Sequence, residues 1–365
     1  MKRLLCILSG MNAGGAETFL MKVYRSIDRT KYQMDFCINT KEKCFYEDEI
    51  LEMGGKIYRI PSKSENLKIF KRELYNIVKS NEYKYVLRIT SSTMGFMDLM
   101  IAKKAGAQVC SARSSNASDG GSWKSKIAHA LGRLLYRKYV DVAIAPSDLA
   151  AMYTFGKKEY KTGKVDILHN AVDLGVFSYS VNARDTVREE FGISKDQLVI
   201  GHIGRFSGQK NHRFLIKVFS EISKKRDDAV LLLIGKGELQ DEIERQASDY
   251  GISDKVIFAG VRFDIPSVLS AMDIFVMPSF YEGMPNTVIE AQATGLPCVI
   301  ADTITKQANI TDLVVYLPLG NSTEWADAVL GATTHERADT KVMFIRNKYD
   351  IDSVAGKFVG LIFKD

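Results

Sequence analysis

The feature that most constrains the fold is a succession of short apolar runs separated by segments with helical spacing. The first half has runs at 4–8, 34–38, 56–60, 85–90, 108–112, 141–145 and 165–168, with helical patterns over 17–27, 65–80, 94–104, 124–139 and 147–155. The series then restarts at 198–203, 229–234, 256–258, 274–277, 297–300 and 313–317. Apolar runs this brief, alternating with helices, predict parallel sheets with crossover helices. Two such series predict an α/β chain with two Rossmann-like sheets. The 365 residues also exceed one ordinary core and fit two domains of roughly 150–200 residues.

Apolar periodicity lapses after Leu168, in HNAVDLGVFSYSVNARDTVREEFG, and the boundary is placed there. The expected parts are 1–170, 171–345 and a terminal helical segment, 346–365. A composition of 46% hydrophobic and 26% charged residues is that of a soluble globular protein. No apolar run approaches the roughly 18 residues of a bilayer span, and MKRLLCILSG, interrupted by Ser9 and Gly10, reads as a first strand rather than a signal peptide. Cys6, Cys37, Cys44, Cys110 and Cys298 have neither CxxC nor zinc-finger spacing, which predicts buried free thiols and a cytoplasmic location.

Net charge is +6, unevenly spread: residues 1–170 carry 29 Lys and Arg against 17 Asp and Glu, and the remainder 21 against 27. A basic first half points to an anionic partner. No nucleic-acid module is recognisable, which leaves an anionic membrane surface. Within 123–139, Ile127, Leu131, Leu134 and Leu135 share a helical face, while Lys124, Lys126, Arg133, Arg137 and Lys138 supply charge. Such a helix either packs on the core with a solvated basic edge or docks on a lipid leaflet.

Candidate site residues cluster around glycine turns. In SFYEGMPNTVIEAQATGLPCVIAD, Glu282 and Glu290 lie eight residues apart around a helix start made irregular by Gly283 and Pro285. That places Glu282 on the loop and Glu290 within the helix. Backbone N–H groups near Met284, Asn286 and Thr287 would face an anion at the same helix start. In GHIGRFSGQKNHRFLIKVF a glycine turn delivers Arg205 and Lys210, two cations able to flank a leaving diphosphate without a metal. Gly14 and Gly15, after the first run, allow close approach of a phosphate to a helix N-terminus. Glu17 reads as a first-turn charge complementing the helix dipole. A third turn, Gly235-Lys236-Gly237-Glu238, lacks the Walker pattern.

The Glu-x7-Glu segment, continued by Asn309-Ile310-Thr311-Asp312, resembles the retaining glycosyltransferases of family 4, and most of all their bacterial capsular and exopolysaccharide branch. The resemblance implies the GT-B fold: two Rossmann-like domains with a cleft between them and a terminal helix crossing back to the first. It implies transfer of a sugar from a nucleotide-diphosphate donor, a UDP-sugar, to a glycan or polyprenyl-diphosphate-linked saccharide. No cofactor and no metal are expected. Arg205, Lys210 and Glu282 would be catalytic, Glu282 on donor-sugar hydroxyls and Glu290 on the ribose. Gly14, Gly15, Gly235, Gly283, Met284, Asn286 and Thr287 would line the donor site, and residues near Val261 and Arg262 would flank the base. The implied enzyme works at the inner face of the plasma membrane.

Where many relatives carry a His-Ser-His-Asn-like run, this chain has Arg113-Ser114-Ser115-Asn116. A permanently charged guanidinium is no general base, so Arg113 is a candidate for acceptor phosphate or donor diphosphate instead. Asp350-Ile351-Asp352 spells a metal-binding DxD, yet it stands at the terminal helix start and reads as a cap. His129, His202, His212 and His335 have no metal-ligand spacing and read as structural or exposed, while His169 is placed near the hinge. The alternatives are a phosphorylase or epimerase of the same architecture, or a non-catalytic sugar-nucleotide-binding subunit of a transferase complex.

Overall fold

The computed structural model describes residues 1–12, 14–90, 92–115, 129, 132–133, 136, 138–282, 284–333 and 336–364. The chain divides into two compact units, Met1–Ala171 with Lys348–Asp365, and Val172–Asn347.

The first unit is a seven-stranded parallel sheet: β1 (Lys2–Ile7), β2 (Tyr32–Ile38), β3 (Ile57–Arg59), β4 (Tyr85–Thr90), β5 (Val109–Ser114), β6 (Val142–Ala145) and β7 (Asp166–Ile167). The order is β3-β2-β1-β4-β5-β6-β7. Residues alternate faces along each strand, so both faces must be covered. Leu4, Cys6, Phe36, Leu87 and Ile144 face Phe19, Leu20 and Val23 of the helix Gly15–Ser26. Leu5, Ile7, Val86, Cys110 and Ala112 face Phe70, Leu74, Phe96, Leu99 and Phe155. The last helix, Ile351–Ile362, completes the first of these cores with Phe358 and Ile362. The Phe358 ring meets Phe19 edge-on at 6.4 Å. Asp350 caps that helix by accepting from the Ser353 backbone N–H at 2.9 Å.

The second unit is a six-stranded parallel sheet: β8 (Leu198–Ile203), β9 (Ala229–Ile234), β10 (Val256–Phe258), β11 (Ile274–Met277), β12 (Cys298–Ala301) and β13 (Val314–Leu317). Its order is β10-β9-β8-β11-β12-β13. Strand order reverses between β8 and β11, and in open α/β sheets ligands bind outside the carboxyl ends of the strands at that reversal. The loops leaving β8 and β11 therefore frame the candidate site.

Differences from the sequence reading have local causes. β5 runs two residues past 112, because Arg113 and Ser114 are buried despite their polarity. The helix Glu47–Glu52 was not expected, since it buries only Ile50 and shows no apolar periodicity. All five cysteines are buried and free. Among the described residues no helix is long and apolar enough to cross a membrane. Most of the basic stretch 123–139, including Lys124, Lys126 and Arg137, lies outside the described residues, as do Gly283 and Asn116.

Candidate active site

After β8 the chain turns through Gly204 to Lys210 and starts the helix His212–Lys225 from Asn211, which takes the left-handed conformation at φ 56°. After β11 it runs through 278–285 into the helix Asn286–Ala293. Three hydrogen bonds stitch these loops together. Asn211 Nδ2 donates to the Pro278 carbonyl at 3.1 Å, the Phe280 N–H to the Gln209 carbonyl at 2.9 Å, and Gln209 Nε2 to the Tyr281 carbonyl at 2.8 Å. On that frame Lys210 Nζ meets Glu282 Oε1 at 2.8 Å, with the two side chains 18% and 11% exposed. Residues 72 positions apart in sequence thus form a half-buried ion pair at the sheet's switch point. A compact ammonium in such a place can exchange its carboxylate for a phosphate, which leaves the carboxylate available to hydroxyls.

The turn after β9 locks onto this frame through backbone alone. Gly235 takes φ +134°, and a Cβ on it would strike the Gly204 carbonyl oxygen; one on Gly237 would strike that of Phe206. Hydrogen bonds from Gly204 N to the Ile234 carbonyl (2.9 Å) and from Phe206 N to the Lys236 carbonyl (3.2 Å) close the contact. The turn brings Glu238 to Arg205 at 3.1 Å, with both side chains largely in solvent, 72% and 54% exposed. Arg205 and Lys210, expected to act as one clamp, are therefore each engaged with a different carboxylate. The Arg205 pair is weak, as exposed pairs are, and leaves that side chain able to swing.

Glu282 stands on the loop and Glu290 within the helix, as their spacing requires; Met284, Asn286 and Thr287 lie at its start, half-buried. Buried Gln292 of the same helix anchors the segment after β12, its Oε1 accepting from Ile310 N (2.9 Å) and Thr311 Oγ1 (3.0 Å). Arg262, expected beside the base, is held elsewhere: it pairs with both Asp264 oxygens at 2.8 Å and also with Glu190. Its neighbours Val261 and Phe263 are the exposed side chains of that loop.

Two histidines set aside on spacing lie directly behind Lys210. His202, on β8, donates through Nδ1 to the Val276 carbonyl (2.7 Å), and its ring meets His212 at 4.7 Å. The His212 ring stacks on Phe206 at 4.2 Å. Burial holds His202 well below the usual imidazole range, with the neighbouring His212 and the Lys210 charge adding to it. Burial and Lys210 push His212 down to about 4. Both rings are neutral at neutral pH. A histidine closing a buried strand beside a glycine turn was the available signal.

In the first unit Gly14 precedes the helix Gly15–Ser26, and the Glu17 carboxylate folds back against it. Desolvation raises the Glu17 carboxyl above its usual range. Arg113 is 1% exposed. Its guanidinium lies 3.6 Å over the Phe19 ring and donates to Asn170 Oδ1 at 2.7 Å. Burial pushes it down to about 9, still charged at neutral pH. Its charge faces the Phe19 ring and the Asn170 amide rather than solvent. His169 stacks on Tyr349 at 4.1 Å and bonds the Pro146 carbonyl through Nδ1 at 3.1 Å.

The signature of the family described as glycosyl transferases group 1 matches residues 197–335, the stretch that carries this site. The chain is 35% identical over 342 residues, 92% of its length and 89% of the relative's, to EpsF of Bacillus subtilis strain 168, itself assigned as a glycosyltransferase. It is 27% identical over 270 residues, 70% of the chain and 68% of the relative, to the UDP-Gal:alpha-D-GlcNAc-diphosphoundecaprenol alpha-1,3-galactosyltransferase of Escherichia coli. Anabaena HepE, crystallised with UDP and glucose, has the same fold, with a TM-score of 0.78 over 99% of both chains at 17% identity. With two parallel Rossmann-like sheets and this similarity along nearly its whole length, the chain belongs to the group 1, family 4 type glycosyltransferases of the GT-B fold.

Proposed function

We propose that the protein moves a sugar, with retention of anomeric configuration, from a UDP-sugar to a glycan or polyprenyl-diphosphate-linked saccharide in cell-surface polysaccharide synthesis. The observation that carries the reading is the Lys210–Glu282 pair at the switch point. The donor's diphosphate takes Lys210 from Glu282, and the released carboxylate accepts hydrogen bonds from donor-sugar hydroxyls. Arg205 swings from Glu238 onto the same phosphates. As the bond from the anomeric carbon to phosphate oxygen breaks, its electron pair stays with the diphosphate, whose growing charge the two cations stabilise. The acceptor oxygen bonds to the anomeric carbon on the face just vacated, and its proton passes to the departing phosphate.

In this reading backbone N–H groups at Met284, Asn286 and Thr287 face phosphate at the helix start, Gly235 lines the nucleotide, and Glu290 takes the ribose hydroxyls. Gly14 and Gly15 leave room for phosphate at the first helix. Support for the ligand class comes from the UDP complex of HepE and from the lipid-linked acceptor in the name of the Escherichia coli relative. The basic first half supports docking on an anionic inner leaflet.

The test is a screen of purified protein for nucleotide release from UDP-, GDP- and ADP-sugars, with a lipid-linked saccharide acceptor and excess chelator. UDP release that depends on acceptor and survives the chelator is expected. Release only with a divalent cation would overturn the metal-free reading, and no release from any donor would overturn the transferase reading.

A further inference from the structure

The loop holding Glu282 also holds two large aromatic side chains in solvent, Phe280 at 51% and Tyr281 at 61% exposure. Exposed aromatics are unremarkable on a loose loop, where they can fold down onto the surface. This loop is not loose. Its backbone is fixed by bonds from Asn211 to Pro278, from Thr303 Oγ1 to the Ser279 carbonyl (3.0 Å), from the Phe280 N–H to Gln209, and from Gln209 to Tyr281. The Lys210–Glu282 pair fixes the next residue. Ser279, immediately before the aromatics, is fully buried. The fold therefore spends five polar contacts on a segment whose two rings it leaves wet, and folding alone gives no reason to do so.

We propose that Phe280 and Tyr281 form an aromatic edge that stacks on the C–H face of a pyranose ring. The proposal rests on the reading that Glu282 binds sugar hydroxyls. A sugar ring offers hydroxyls at its rim and weakly positive C–H groups on its faces, so it is gripped by a carboxylate at the edge and a π face below. A rigid aromatic beside a carboxylate supplies both, with little ordering left to do on binding. The ring could belong to the donor or to the acceptor saccharide, and the two sources are separable by experiment.

Wild type, Phe280→Ala, Tyr281→Ala, Phe280→Trp and Tyr281→Trp are titrated with UDP, with UDP-glucose, and with N-acetylglucosaminyl diphosphate on a short alkyl chain. All variants are expected to bind UDP within about twofold of wild type, because the proposal assigns the edge to the sugar ring and not to the nucleotide. At least one alanine variant is expected to weaken a sugar probe by roughly 3- to 20-fold, and its tryptophan counterpart to restore binding. A loss confined to UDP-glucose assigns the ring to the donor; a loss confined to the alkyl-linked sugar assigns it to the acceptor. Unchanged sugar affinity in both alanine variants would overturn the proposal, as would equal losses for UDP and the sugars, or a wild type that binds UDP but neither sugar. Absence of UDP binding by wild type would be a different failure, that of the nucleotide-sugar reading itself.

Discussion

Each unit places a buried or half-buried cation near the carboxyl ends of its central strands, and the surroundings differ in kind. Arg113, at the end of β5, is wrapped by the Phe19 ring and the Asn170 amide, neutral groups that belong to the fold. Lys210, after β8, is answered by the carboxylate of Glu282, whose charge an incoming phosphate can replace. A cation satisfied by neutral groups is committed to architecture; one satisfied by an exchangeable anion keeps its charge for a ligand.

Removing each cation should therefore leave different signatures. Lys210→Ala is expected to slow turnover by roughly 10²- to 10³-fold, and to cost about 1–2 kcal/mol in urea unfolding because the largely buried Glu282 carboxylate loses its counter-charge. Steady-state rates within fivefold of wild type would break the comparison on its catalytic side. Arg113→Ala should instead cost about 2–4 kcal/mol in urea unfolding, through the cavity and the lost bond to Asn170, whereas Arg113→Met should retain stability to within about 1 kcal/mol and turn over normally. A folded Arg113→Met protein with a hundredfold rate loss would mean that the arginine meets substrate after all.

Acidification reads the second unit's site through His202 and His212, the two neutral imidazoles behind Lys210; in the first unit burial also lowers His169, and the Arg113 charge acts in the same direction. The folded value of His212, about 4, lies below the ordinary 6.5, and His202 is lowered too. The unfolded chain thus binds more protons within that window. Stability is complete above pH 6.5 and falls as pH drops toward 4, by about 1.4 kcal/mol per pH unit for each ring fully in that regime. Urea unfolding at pH 7 and pH 5 reads this slope, and His212→Phe should remove its share; an unchanged slope would show that the ring is not held neutral. The smallest effect is expected at Arg205. Its exposed pair with Glu238 predicts a stability change within about 0.5 kcal/mol for Arg205→Ala, with turnover down roughly tenfold. A loss as large as that of Lys210→Ala would restore the two cations to equal standing.

The strands were legible because buried parallel strands read as unbroken apolar runs, and reading failed where that rule fails. β5 carries buried Arg113 and Ser114 at its end, so its apolar run stops two residues early. The carboxylates were found from their spacing around a helix start, and their loop and helix placement followed. Which cation meets Glu282 was not legible, since the partner lies 72 residues away and the stitching runs through backbone carbonyls. His202 and His212 were read as structural or exposed and are buried and structural; their pairing was not legible, since they become neighbours only when β8 and the following helix pack.

The helix Ile351–Ile362 belongs to the first unit although the whole of the second is synthesised before it. On a ribosome, residues up to Ala171 emerge with Phe19 and its neighbours lacking Phe358 and Ile362, while the contiguous stretch Val172–Asn347 has all it needs. The later-made unit can thus mature first, leaving its predecessor with an open apolar face until the helix Ile351–Ile362 emerges. Quality control by chaperones and proteases would then fall chiefly on the first unit, and truncation near the C-terminus would be felt at Phe19, some 340 positions upstream.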